Sequence, residues 1–427
     1  MHSFRHPGTV LTDHVFTVPL DHGNPAGQSI EVFGRQVVAA GKADARLPWL
    51  LFLQGGPGGA SPRPVGRWSW LDRALQDYRV LLLDQRGTGR STPATRQTLT
   101  RLGTPQAQAD YLANFRADSI VRDAEIIRRA LIGDEPWSAL GQSYGGFCAV
   151  TYLSLAPDGL REVLITGGLP GLAATAEDVY RATYPRVAAK TAAHYERYPD
   201  DAERAKRVAR HLRETDVRLP NGAPLTVEAF QALGDMLGMS TGSHTLHYLL
   251  EDPFAGAELS DAFLHEVLAH AAARGPLYAL LHEACYAQGD GATRWAAQRV
   301  RAEFGEFDAA AALDGDAPLL FTGEMIYPWM LAADPLLRPL REAAELLAER
   351  ASWPALYDPA RLAANQVPAA AAVYFDDMYV DAGFSLATAR AIRGLRPWVT
   401  NEYEHDGLRV SSGAVLGRLI DMVRGQA

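Results

Sequence analysis

The chain has 427 residues, 48% hydrophobic and 21% charged, which excludes a disordered chain and a small disulfide-held module. Arg plus Lys number 41 against 50 Asp plus Glu, a formal charge of -9, which argues against a broad nucleic-acid footprint. One hydrophobic core stops growing near roughly 250–300 residues, so a further domain or a large insertion is expected.

The only lysines are Lys42, Lys190 and Lys206, and the only cysteines are Cys148 and Cys285. Two cysteines make no disulfide framework and no metal-type cluster. The polar N-terminus, broken by Pro7 and Gly8, has no apolar leader. No run reaches the roughly 18 apolar residues of a membrane span. A soluble, cytoplasmic protein with neither a membrane nor a nucleic-acid partner is expected, and a homo-oligomer is compatible with the sequence.

In chain order, residues 14–22 and 29–38 show partial period-two patterning around Gly23, Asn24, Pro25 and Gly27, which predicts an antiparallel pair. Residues 48–56 and 78–89 are dense apolar runs ending at glycines, as buried parallel strands do. Ile120, Ala124, Ile127 and Leu131 recur at helical spacing before Gly133 and Pro136. A short strand, a sharp turn and an apolar helix follow over 136–160, then another strand over 161–171. This alternation predicts an α/β sheet covered on both faces.

From 171 to 360 the chain turns rich in Ala, Arg, Glu, His and aromatics, and strong strand signals are scarce. This stretch predicts a helical insertion, because it is too long for a loop. The α/β pattern returns at 367–381, and a terminal helix closes the chain. The expected division is 1–170 core, 171–360 helical cap, and 361–427 core.

The sharpest motif is Gly141-Gln142-Ser143-Tyr144-Gly145, between a predicted strand and a predicted helix. This context marks Ser143 as a nucleophile on a tight turn. The Tyr144 amide at the helix start would stabilise negative charge. The glycine loop at 55–59 would supply a second donor, with the Gly56 amide preferred. It is not a phosphate loop, because it lacks the G-K-[ST] ending.

Gly55-Gly56-Pro57-Gly58-Gly59, the segment Asp84 to Ser91, and Gly141 to Gly146 occur in one order. Together they resemble the proline iminopeptidase family of α/β-hydrolases. Gln54 stands where many relatives have His, a departure that leaves the backbone donor unaffected. The resemblance covers nearly the whole chain and implies an α/β-hydrolase fold with a mostly parallel sheet and a helical cap. It also implies serine aminopeptidase activity on short peptides with a free N-terminal proline. Esterase, amidase or tripeptidyl aminopeptidase action on the same catalytic triad is the alternative. No metal or organic cofactor is called for.

In that fold the acid follows the nucleophile and the base comes last. Asp376 and Asp377 both follow a late strand, and the resemblance selects Asp377. His405 is the only histidine after them and is the expected base. Asp84 and Arg86 are expected to tie loops together. An aminopeptidase must also hold a charged amine, which carboxylates do well. Two cap segments resemble amine-recognition segments of the family, and they implicate Glu283 and Glu324. Tyr286, Tyr327 and Trp329 are expected to line the proline pocket.

Overall fold

The computed structural model describes residues 2–66, 69–271 and 275–427. Among the described residues, nine strands form the main sheet: β1 (His2–His6), β2 (Thr9–Pro19), β3 (Ser29–Ala39), β4 (Trp49–Leu53), β5 (Arg79–Asp84), β6 (Trp137–Gln142), β7 (Leu160–Thr166), β8 (Ala369–Tyr374) and β9 (Leu395–Thr400). Their order is β1-β2-β3-β5-β4-β6-β7-β8-β9. The first three run antiparallel and β3 meets β5 antiparallel. All pairs from β5 to β9 are parallel.

The expected antiparallel pair is present as β2 and β3, in register from Thr9↔Ala39 to Pro19↔Ser29. β1 adds a strand from a polar stretch with no strand signal in the sequence. The pairing His6↔Thr9 leaves Pro7 and Gly8 at the corner. Proline suits the first corner position, and Gly8, at φ 80°, takes the left-handed one.

Side chains alternate across the parallel strands, as a period of two requires. Leu51, Leu53, Leu81, Leu83, Ala139 and Ile165 share one buried cluster with the helices Ala117–Ile132 and Tyr144–Leu155. Leu50, Phe52, Val80, Leu82, Leu140 and Leu164 share the other, with Val415, Leu416 and Leu419 of the helix Ala414–Val423. Both faces are covered, which is why these strands read as continuous apolar runs.

The sheet is interrupted between Thr166 and Ala369. That span holds helices such as Ala176–Arg197, Asp201–Glu214, Gly242–Glu251 and Pro276–Leu281, with short two-stranded pairs. No helix among the described residues is long and apolar enough to cross a membrane.

The turns that matter next all leave carboxyl ends of parallel strands, where open α/β sheets gather their binding residues. β4 leads to the glycine loop, β6 to Ser143, β7 to Gly167-Gly168, β8 to Asp377 and β9 to His405.

Candidate active site

Ser143 sits between β6 and the helix Tyr144–Leu155 with φ 56° and ψ -126°. This conformation is costly for a residue with a Cβ and persists only where the surroundings enforce it. Here the Ser143 amide donates to the Thr166 carbonyl at 3.0 Å, and the Gly146 amide donates to the Ser143 carbonyl at 2.7 Å. The flanking glycines are required by close approach. A Cβ on Gly145 would lie 1.9 Å from the Leu53 carbonyl oxygen, and one on Gly141 would lie 2.3 Å from the Gly145 oxygen.

The glycine loop presses on the same turn. A Cβ on Gly55 would meet the Ser143 Cβ at 2.9 Å, and Gly56 has φ 136°. Tyr144 opens the helix, so its amide belongs to the first-turn donors that lack intrahelical partners.

Asp377 and His405 come together from different loops. His405 Nδ1 donates to Asp377 Oδ2 at 2.7 Å, with both side chains buried. The other Asp377 oxygen accepts from the amides of Tyr379 at 2.8 Å and Val380 at 3.1 Å. Asp376 is exposed. The strand ends at Tyr374, and a turn closed by the Asp377 amide on the Tyr374 carbonyl at 3.3 Å leaves Asp376 outside and Asp377 toward the ring. Gly167-Gly168 touches both partners of the site. A Cβ on Gly167 would lie 3.1 Å from His405 Nδ1, and one on Gly168 would lie 2.4 Å from the Ser143 carbonyl oxygen.

The Tyr379 ring packs edge-on against His405 at 4.7 Å. Burial pushes the imidazole down, but the Asp377 charge and hydrogen bond, with the Glu324 charge, outweigh it. His405 therefore titrates above its ordinary value.

Glu324 lies within electrostatic reach of that ring. Its carboxylate accepts from the Tyr278 hydroxyl at 2.7 Å and lies 3.5 Å from His282 Nε2. Burial pushes Glu324 up, but His282, Tyr278 and the His405 charge offset this and hold it below its ordinary value. The glycine loop lies against the start of the helix Pro276–Leu281, since a Cβ on Gly58 would meet Leu277 Cβ at 2.7 Å and the Tyr278 amide at 3.1 Å.

Glu283 is buried, with Oε1 accepting from the Ala297 amide at 3.0 Å. Its Oε2 has no hydrogen-bond partner among the described residues. Burial raises its titration, while the polar groups of Ala297, Ala296 and Thr293 pull the other way. Glu283 and Glu324 therefore have separate hydrogen-bond partners, with the His282 charge acting on both.

The Tyr286 ring meets Phe147 at 6.0 Å, joining the insertion to the helix after Ser143, and meets Tyr180 at 6.3 Å. Tyr327 is buried, its hydroxyl 2.9 Å from that of Tyr184 and its ring stacked on Trp329 at 5.7 Å. Trp329 lines a cavity bounded by Leu219, Ala229, Leu268, Ile326 and Leu337.

Comparison with known proteins supports one assignment. Residues 48–253 match the family described as alpha/beta hydrolase fold. A proline iminopeptidase of Aeromonas sobria is 53% identical over 96% of each chain. A proline iminopeptidase of Aspergillus aculeatus is 37% identical over 95% of this chain and 91% of its own. A tripeptidyl aminopeptidase of Streptomyces lividans is 26% identical over 35% of this chain and 34% of its own.

The chain belongs to the proline iminopeptidase family.

The family-marking segment at 84–91 forms a structural knot. Asp84 accepts from the Ser61 amide at 3.1 Å, the Arg90 amide at 2.8 Å and Arg63 Nη2 at 2.5 Å. Arg86 is fully buried and makes two bonds to Asp123, at 2.7 and 2.5 Å, while also reaching the carbonyls of Leu20 and Asn114. Both cysteines are free and buried, and burial raises both thiols, so thiolate chemistry is disfavoured. Sequence reasoning passed over Tyr278, His282 and Tyr379. Their signal lay in proximity: His282 precedes Glu283, and Tyr379 follows Asp377 by two.

Proposed function

We propose that this chain is a serine aminopeptidase that hydrolyses N-terminal proline from short peptides through an acyl-enzyme. The carrying observation is a half-buried carboxylate, Glu324, held by Tyr278 and His282 beside the His405–Asp377 pair. A hydrolase acting on ester or internal amide bonds has no need of an anionic group there. An N-terminal prolyl residue, with its secondary ammonium on the α-carbon and so one atom from the scissile carbonyl carbon, does need it.

In the first step Ser143 Oγ attacks the prolyl carbonyl carbon while His405 Nε2 takes its proton. The oxyanion is held by the amides of Gly56 and Tyr144. Asp377 holds the imidazole in the tautomer with Nδ1 protonated and stabilises the imidazolium that forms. His405 then protonates the leaving amine, and the peptide departs one residue shorter. Water enters, loses a proton to His405 and attacks the prolyl ester. Collapse returns the proton to Ser143 and releases proline.

Glu324 is held in its charged form and is the principal amine anchor. Glu283, with one oxygen unpaired, is the second. Tyr286, packed on Phe147 of the helix after Ser143, is the aromatic wall of the ring pocket, whereas Tyr327 and Trp329 pack away from the catalytic residues. Residues 171–360 act as a cap that admits free chain ends, on a core built from 1–170 and 361–427. The two free cysteines suit a reducing, cytoplasmic setting.

The test compares initial rates on Pro-, Ala- and N-blocked-Pro aryl amides, with Ser143→Ala as control. Fast cleavage of free Pro alone, lost in the variant, is expected. Equal cleavage of the blocked substrate would refute the amine site and favour a general amidase or esterase. Release of tripeptides from longer peptides would favour tripeptidyl action.

A further inference from the structure

Three consecutive residues around the imidazole are each bonded to the inserted segment. The Glu404 carboxylate accepts from Lys190 Nζ with both oxygens, each at 2.6 Å. The His405 amide donates to the Gly238 carbonyl at 3.1 Å. Asp406 Oδ1 accepts from the Ser240 amide at 3.1 Å and from its hydroxyl at 2.6 Å. The loop bearing the acid is tied likewise. The Tyr379 hydroxyl donates to the Asp235 carbonyl, and Arg186 Nε lies 3.3 Å from Asp381 Oδ2.

β9 ends at Thr400, and Asn401 and Glu402 are exposed. Past this exposed pair Tyr403 packs against Trp398 of the core, and the bonds to Glu404, to the His405 amide and to Asp406 then come from the insertion. A catalytic base must be held within a fraction of an ångström, and side chains on loops reach that precision only when neighbouring groups lock them.

We propose that Lys190 and Ser240 are positioning residues for the base, so that the inserted segment, together with the Asp377 loop of the core, sets where His405 stands. Seating of the insertion and competence of the imidazole are then one event. This rests on His405 being the base, as argued above. Lys190 suits the task because its side chain is only 15% exposed while Glu404 keeps 31%, so the pair is partly shielded from water without being buried. Ser240 adds a short contact with little freedom.

The experiment is steady-state kinetics on a Pro aryl amide with the full chain and five variants: Lys190→Met, Lys190→Arg, Ser240→Ala, Arg213→Met and Ser143→Ala. Arg213 pairs with Asp314 at an exposed site elsewhere in the insertion and serves as the control. Lys190→Met and Ser240→Ala are each expected to lower kcat roughly tenfold, as a slight misplacement of a catalytic group does. KM should stay within about twofold, because substrate binding is not touched. Lys190→Arg should recover most of the loss and Arg213→Met should match the parent.

Folded Lys190→Met and Ser240→Ala proteins with parental kcat, or with a defect confined to KM, would overturn the proposal. If Lys190→Met does not fold, Ser240→Ala decides alone, since it removes a single hydroxyl. Turnover surviving in Ser143→Ala would instead show that the catalytic reading beneath the proposal is wrong, and the proposal would fall with it.

Discussion

His405 Nδ1 lies 2.7 Å from Asp377 Oδ2, while the adjacent Asp376 is turned to solvent. The two acids thus differ by one position in sequence and by their entire environment. Asp377→Asn should lower kcat by on the order of 10³–10⁴-fold, since the amide favours the wrong imidazole tautomer. Asp376→Asn should leave kcat near the parent. Paired kinetics on the two variants checks both.

The pH dependence has a definite sign. His405 acts as a base only when neutral, and its titration is raised above the ordinary imidazole value of about 6.5. kcat/KM should therefore fall as pH drops through that raised value. Asp377 and Glu324 both hold it up, so Asp377→Asn and Glu324→Gln should each shift the acid limb to lower pH. A pH profile of kcat/KM reads the shift directly. An unmoved limb in both variants would refute the assignment of the limb to His405.

Glu324→Gln should also separate amine recognition from the chemistry. Loss of a partly shielded charge pair with the substrate ammonium is expected to weaken kcat/KM for free Pro amides by roughly tenfold to a hundredfold, about 1.5–3 kcal/mol. Rates on an N-blocked analogue should not fall further. Tyr278→Phe, which removes one hydrogen bond to the same carboxylate, should give a smaller loss in the same direction.

The turn around Ser143 tolerates removal of the hydroxyl but no added Cβ beside it. Ser143→Ala should retain the fold while abolishing turnover. Gly145→Ala places a Cβ 1.9 Å from the Leu53 carbonyl oxygen, against backbone that cannot yield cheaply. It should cost about 3 kcal/mol or prevent folding. Denaturant titration distinguishes the two variants.

Arg86→Met should destabilise by roughly 3–5 kcal/mol, because it takes the guanidinium from the buried Asp123 and leaves that carboxylate only His22 as a side-chain partner. Catalysis by the folded fraction should be little changed, since Arg86 joins loops and touches no group of the proposed site. Thermal unfolding, followed by activity below the midpoint, checks this.

Much of the architecture was legible from local chemistry. Apolar runs ending at glycines marked the parallel strands, because strands buried on both faces have no polar side to show. Glycines around Ser143 marked a turn where backbones meet, and family membership followed from three motifs in one order. The strand His2–His6 escaped notice because an exposed edge strand carries no such pattern. Chain order named Asp377 and His405 as candidates. Their 2.7 Å contact, the exposure of Asp376 and the bonds from Lys190 and Ser240 arise only when residues far apart in sequence are folded together. Glu324 shows the same division. Its residue type and aromatic neighbours could be read, but the direction of its titration follows from burial opposed by Tyr278 and His282 of one helix and by His405 of a distant loop. Periodicity and turn chemistry act over a few residues and are written in the sequence; contact and electrostatics act through space, and only the tertiary structure decides them.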